Sequence, residues 1–157
     1  MGQDITVCPE THIKNGHILK AREPDRRFFS EAAPSTDRAA GTAILLSKRA
    51  ARCVIGHSSV GSRINWVRIL IAGPPLFVVA TYIPHRGRTD PSREDTYADL
   101  SKLLGQVPRG DNLWLCLDAN SRLQREKYPY VGKFAVHDRV DEGGEMLMEI
   151  MQQNDLW

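Results

Sequence analysis

The run Leu76-Phe-Val-Val-Ala-Thr-Tyr82 is apolar on both faces until its end. A strand with one wet face alternates, so a run like this is expected at the centre of a sheet covered on both sides. Leu113-Trp-Leu-Cys-Leu117 reads as a second fully buried strand. Asp4–Cys8 is a short strand carrying β-branched Ile5, Thr6 and Val7, ended by Pro9. Thr42–Ser47, Arg52–His57 and Arg63–Ile71 are further strand-like runs, the last with the interspersed polar residues of a strand wet on one face. Gly73-Pro74-Pro75 is a turn. Residues 14–41 are polar and rich in Ala, Pro, Asp and Arg, and read as a loop with a short strand near 27–31.

Two helices complete the pattern. Asp90 is an N-cap with Pro91 at the first helical position, and Tyr97, Leu100 and Leu104 recur at i, i+3 and i+7 to form a core face. Gly105 and Pro108 stop that helix. A second runs from Gly144 to Gln153 with Leu147, Ile150 and Met151 facing inward. Strands, helix, strand, loop, helix is an α/β layer order, and polar residues gather just past the buried strands, where such sheets bind ligands. At 157 residues the chain is expected to be one domain spanning 1–157.

Composition removes whole classes. With 41% hydrophobic and 25% charged residues, the chain is neither a disordered tail nor a collagen-like repeat. No apolar run approaches the roughly 18 residues that span a bilayer, and Met-Gly-Gln-Asp-Ile lacks a basic, apolar leader, so no membrane and no secretion are expected. Cys8, Cys53 and Cys116 are an odd set and read as buried free thiols of a reducing compartment. Charge is unevenly placed: residues 1–70 hold 11 Lys and Arg against 6 Asp and Glu, residues 71–157 hold 10 against 13. Arginine supplies 15 of the 21 basic groups, and its planar fork suits phosphate. A basic half beside an acidic half fits a phosphate-bearing substrate facing metal-holding carboxylates; ordinary solvated scatter fits it as well.

Three strand ends carry candidate chemistry. Glu10 follows the first strand in C-P-E-T-H, Tyr82 ends the central strand in T-Y-I-P-H-R-G-R, and Asp118 and Asn120 follow the last buried strand in L-C-L-D-A-N-S. A carboxylate at a strand end can bind Mg²⁺ through oxygen, with waters and substrate phosphate completing the shell. In D-x-N an aspartate can orient or deprotonate water while the amide holds phosphate. The plainer alternatives are a solvated loop glutamate, a rim aromatic and Asx residues capping their own turn. His57, His85 and His137 read as surface or loop histidines, since no H-x-x-x-H or C-x-x-C spacing supports zinc. Phosphate-loop, dinucleotide and serine-hydrolase motifs are missing from the sequence.

In order, P-E-T-H at 9–12, F-F-S at 28–30, G-T-A-I-L-L-S at 41–47, V-V-A-T-Y-I-P-H-R-G-R at 78–88, L-C-L-D-A-N-S at 115–121, V-G-K-F at 131–134, G-E-M-L at 144–147 and N-D-L at 154–156 resemble the endonuclease/exonuclease/phosphatase superfamily. Within it they are most similar to endonuclease domains of LINE-type retrotransposons and craniofacial-development-protein-like sequences. The resemblance implies a four-layer α/β sandwich of two packed sheets flanked by helices, which hydrolyses phosphodiesters or phosphomonoesters with Mg²⁺ (or Mn²⁺). Glu10 resembles the metal-binding glutamate of Q-E-T-H and Tyr82 the tyrosine that contacts the scissile phosphate. Asp118 and Asn120 resemble the G-D-x-N pair that handles water and phosphate. His85, Arg86 and Arg88 fall where relatives touch the nucleic-acid backbone.

The chain departs from that pattern at Pro9, Leu117 and D-E-G-G at 141–144. Measured against the family, it starts near the second strand and stops before the S-D-H-like motif whose histidine orients or stabilises the scissile phosphate. The expectation is therefore a partial sandwich, truncated at both ends and inactive on its own, derived from a Mg²⁺-dependent retroelement endonuclease acting on DNA ahead of RNA. A reverse transcriptase domain in a longer parent and a nuclear, otherwise cytoplasmic, location follow from the same resemblance. The competing expectations are a non-catalytic nucleic-acid-binding remnant and an unrelated α/β binding module.

Overall fold

The computed structural model describes residues 3–12, 28–31, 40–85, 93–124, 132 and 137–156. Its elements run β1 (Ile5–Pro9), β2 (Phe28–Glu31), β3 (Thr42–Leu46), α1 (Lys48–Ala51), β4 (Val54–Val60), β5 (Ile64–Ile69), β6 (Leu76–Tyr82), α2 (Arg93–Leu104), β7 (Asn112–Asp118) and α3 (Glu142–Gln153). The molecule is an α/β protein in two compact units. The first holds Met1–Tyr82 and Gln106–Asp118, the second Ile83–Gly105 and Ala119–Trp157.

The first unit contains both sheets. One is three-stranded in the order β1-β3-β2, antiparallel throughout; the other is four-stranded in the order β4-β5-β6-β7. Its first two pairings are antiparallel, and β6–β7 is parallel. Period-2 alternation sends Ile44 and Leu46 of β3, Val67 and Ile69 of β5, and Val78 and Ala80 of β6 into one buried cluster between the sheets. Each large aliphatic side chain so buried contributes about 1.5–3 kcal/mol. Buried Thr42 donates through its hydroxyl to Asn65 Oδ1 at 3.1 Å, a polar link between the two sheets. Arg68 of β5 grips Asp111 with two nitrogens, at 2.6 and 2.8 Å, tying the start of β7 to the sheet.

The central strand matches its expected bounds, Leu76–Tyr82, and every residue after Leu76 is buried. The expected burial of β7 is corrected. It is the last strand in its sheet among the described residues, and Trp114 on it is 53% exposed. The strand expected at Arg52–His57 begins later. Ser47 caps the short α1 by accepting from Ala50 N at 3.2 Å, and β4 follows. The thiols of Cys8, Cys53 and Cys116 are free as expected but half-buried rather than buried. Asp90 and Pro91 lie outside the described residues, as do most of 14–41 and of V-G-K-F at 131–134.

In the second unit α2 and α3 pack on each other. Tyr97, Leu100, Leu103 and Leu104 are buried on α2, as the spacing predicted with Leu103 added. On α3 the buried face is Leu147, Met148 and Ile150. Met148 joins Leu147 and Ile150 on that face, and Met151, expected there, is half-buried. No described helix is long and apolar enough to cross a membrane.

Candidate functional site

Glu10 directly follows β1, and the backbone there is unusual. Glu10 has φ 48° and His12 φ 54°, both left-handed without being glycine. Such conformations cost on the order of 1–3 kcal/mol and persist where surrounding structure enforces them. Here Thr11 N donates to Gly41 O at 3.0 Å, anchoring the turn to the residue before β3. Glu10 is half-buried.

Tyr82 and Asp118 are the last residues of β6 and β7 and are register partners in the parallel pair. Tyr82 shares its strand face with Val78 and Ala80, the face turned toward the three-stranded sheet. Its side chain is fully buried, with the Arg63 guanidinium 5.4 Å from the ring centroid. Asp118 is half-buried. β1 packs against both β6 and β7, so the first unit brings three candidate-bearing strands into contact.

The second unit organises the segment around Asn120. Asn120 adopts φ 44°, and its Nδ2 donates to Ile83 O at 2.9 Å. Arg93, at the start of α2 and only 7% exposed, donates from Nε to Pro84 O at 3.3 Å and from Nη2 to Asn120 O at 3.1 Å. Ser121 Oγ donates to Ala119 O at 2.8 Å, and the Tyr97 hydroxyl donates to Gly143 O at 2.8 Å. Burial pushes the Tyr97 phenol up, against the hydrogen bond with Ser121, so it stays a neutral donor. Glycine is required at 143 and 144 by close approach. A Cβ at Gly143 would strike Arg93 Nη1 and Ser121 Oγ, and one at Gly144 would strike the Arg122 carbonyl.

Asp141 caps α3. Its Oδ1 accepts from Gly144 N at 2.8 Å and from Arg122 N at 3.0 Å. Partial burial raises its pKa, but these hydrogen bonds, with Arg93 and Arg122 nearby, outweigh that and hold the carboxyl below its ordinary value. Around these groups lies an open cavity of about 820 Å³ lined by His85, Arg93, Asn120, Arg122, His137 and Arg139. Asp141 and Glu142 also line it, so three arginines and two carboxylates share the cavity.

Of the residues expected to carry chemistry, Tyr82 and Asp118 are neighbours in the first unit. His85 and Asn120 line one cavity in the second. Arg86 and Arg88 lie outside the described residues. Sequence reasoning missed Arg93, Arg122, Arg139 and the glycine pair. Arg93 did leave a signal: a cation in the first helical turn opposes the helix dipole, so something else must hold it there. Among the described residues no three His, Cys, Asp or Glu side chains gather as a metal-binding group. Glu10 and Asp118 are nevertheless hard oxygen donors suited to Mg²⁺, for which one or two carboxylates suffice beside waters and phosphate.

No protein-family profile matches the chain, and neither does any curated protein. Among solved structures, it is similar to the endonuclease domain of TRAS1, a telomere-specific non-LTR retrotransposon, with a TM-score of 0.61 at 13% sequence identity. The likeness covers 96% of this chain and 58% of that one. The two share an α/β fold, and the chain spans little more than half the length of its structural neighbour.

Proposed function

We propose that the chain is a unit of an endonuclease-type phosphodiesterase family that hydrolyses nucleic acid, DNA ahead of RNA, with Mg²⁺ (or Mn²⁺); the inactivity expected of the chain on its own is decided by the nicking experiment below. The observation carrying this reading is the register pairing of Tyr82 with Asp118 at the carboxyl ends of parallel strands. Open α/β sheets bind their ligands there, and the fold is shared with a retrotransposon endonuclease domain. Of the two groups the sequence resembles, the retrotransposon endonucleases are the one carried forward, with a reverse transcriptase domain as the partner in a longer parent and nuclear DNA as the target.

In this reading Glu10 holds the cation. Mg²⁺, when bound, neutralises charge developing on the phosphate oxygens. Asp118 accepts a proton from the attacking water and orients it, and Asn120 holds the phosphate through its amide. Tyr82 contacts the scissile phosphate. His85, Arg86 and Arg88, with Arg122 and Arg139 of the cavity lining, bind the nucleic-acid backbone, whose phosphates arginine recognises in a bidentate manner.

The full burial of Tyr82 favours a second reading, because a tyrosine with no exposed surface does not reach a substrate phosphate. In that reading the unit binds nucleic acid without cutting it. Nicking of supercoiled plasmid by the purified chain separates the two. Mg²⁺-dependent nicking, lost in EDTA and in Asp118→Ala, supports hydrolysis. Duplex binding by a folded chain without nicking supports the second reading, and neither binding nor nicking overturns both.

A further inference from the structure

We infer that Arg93 is a positioning residue that fixes the direction of the Asn120 side chain, an inference that rests on the reading of Asn120 as a phosphate-holding group. Arg93 is 7% exposed at the start of α2, where the helix dipole disfavours a cation. Burying a guanidinium is costly unless its donors are used. Its guanidinium donates to two carbonyls: Nε to Pro84 O at 3.3 Å and Nη2 to Asn120 O at 3.1 Å. Both carbonyls belong to the two segments that meet at Asn120, since Asn120 Nδ2 itself donates to Ile83 O at 2.9 Å. The guanidinium therefore clamps the segment after the central strand to the segment carrying Asn120.

What the clamp holds is a strained residue. Asn120 has φ 44°, a conformation open to asparagine at a modest cost but one that needs enforcement. Turning its peptide would release the carbonyl from Arg93 and swing the side chain away from Ile83. The space around Arg93 is also fitted to it, because α3 presents Gly143 where any larger residue would collide with Nη1. A lysine at 93 carries the charge but lacks the fork, and a point-charge ammonium does not reproduce two divergent donations.

The test has one arm that needs no activity. In ¹⁵N-labelled protein, Arg93→Lys and Arg93→Ala are expected to shift the Asn120 side-chain amide signals and speed their hydrogen exchange, with far-UV circular dichroism unchanged. Unmoved Asn120 signals in folded Arg93→Lys would overturn the inference. The second arm is Mg²⁺-dependent plasmid nicking. Arg93→Lys is expected to lower kcat by about 10²-fold, the scale of an ångström's misplacement of a reacting group, with KM little changed. Arg93→Lys combined with Asn120→Ala is expected to be no worse than Asn120→Ala alone. Additive losses, or a change confined to KM, would overturn it. Failure of the wild-type chain to nick would count against the hydrolytic reading, while the Asn120 signals would still decide whether Arg93 holds that side chain.

Discussion

Tyr82 and Asp118 stand side by side as Cα partners in the last row of the parallel pair β6–β7. Partnered residues on neighbouring strands project to the same face. A phenol and a carboxylate thus leave the sheet at one level, on the face of β6 that builds the core. Within a general-base role for Asp118, Asp118→Asn is expected to lower nicking by about 10²–10⁴-fold while the melting temperature holds. The check is plasmid nicking beside a thermal melt; a large fall in melting temperature would make Asp118 a structural residue.

Acid should loosen the second unit through Asp141. Its folded pKa lies below the ordinary carboxylate value, so its contribution is fully present above the unfolded value of 3.8 and is lost as pH falls through the folded one. Asp141→Ala removes the cap of α3 and is expected to cost about 0.5–2 kcal/mol at neutral pH. Denaturant melts between pH 7 and pH 2 should show the wild type converging on the variant at the acid end.

The glycine pair at 143–144 should tolerate nothing larger. Gly144→Ala would press a methyl into the Arg122 carbonyl, which is backbone and has little room to give, and is expected to cost about 1–3 kcal/mol. Gly143→Ala meets the ends of Arg93 and Ser121, which are side chains, so it should cost less in stability. It should disturb the Asn120 signals more. Chemical denaturation and NMR of the two variants make that comparison.

The link between the two sheets is open to a single substitution. Thr42→Val keeps the shape of a fully buried side chain and removes its donation to Asn65. It is expected to cost about 0.5–1.5 kcal/mol, the net worth of a typical intramolecular hydrogen bond. A change below a few tenths of that range in urea melts would show that the bond does not hold the sheets together.

Patterning made the apolar skeleton legible. The run Leu76–Tyr82 stated its own bounds and central place because no residue in it tolerates water, and Tyr97 and Leu100 marked the buried face of α2 by spacing alone. Trp114 misled because the order of strands in a sheet is not written in local composition, and an edge strand can be as apolar as a central one. The turns past the strands were legible as places, not as geometry. Nothing local in C-P-E-T-H announces left-handed backbone at Glu10, and D-A-N-S offers only asparagine's general tolerance of it at Asn120. Arg93 was hidden for a related reason: its partners, Pro84 O and Asn120 O, are backbone atoms distant in sequence and without identity in it.

The claim on which the account turns is that Glu10 holds a divalent cation beside Asp118, the group that activates water. Substoichiometric Mn²⁺ added to ¹⁵N-labelled chain tests it without requiring catalysis. The account predicts that amide signals around Glu10 and Asp118 broaden together and first, and that Glu10→Ala abolishes the broadening at both. Broadening that begins instead at the exposed acids of α2 and α3, or at Glu10 and Asp118 independently, would contradict it.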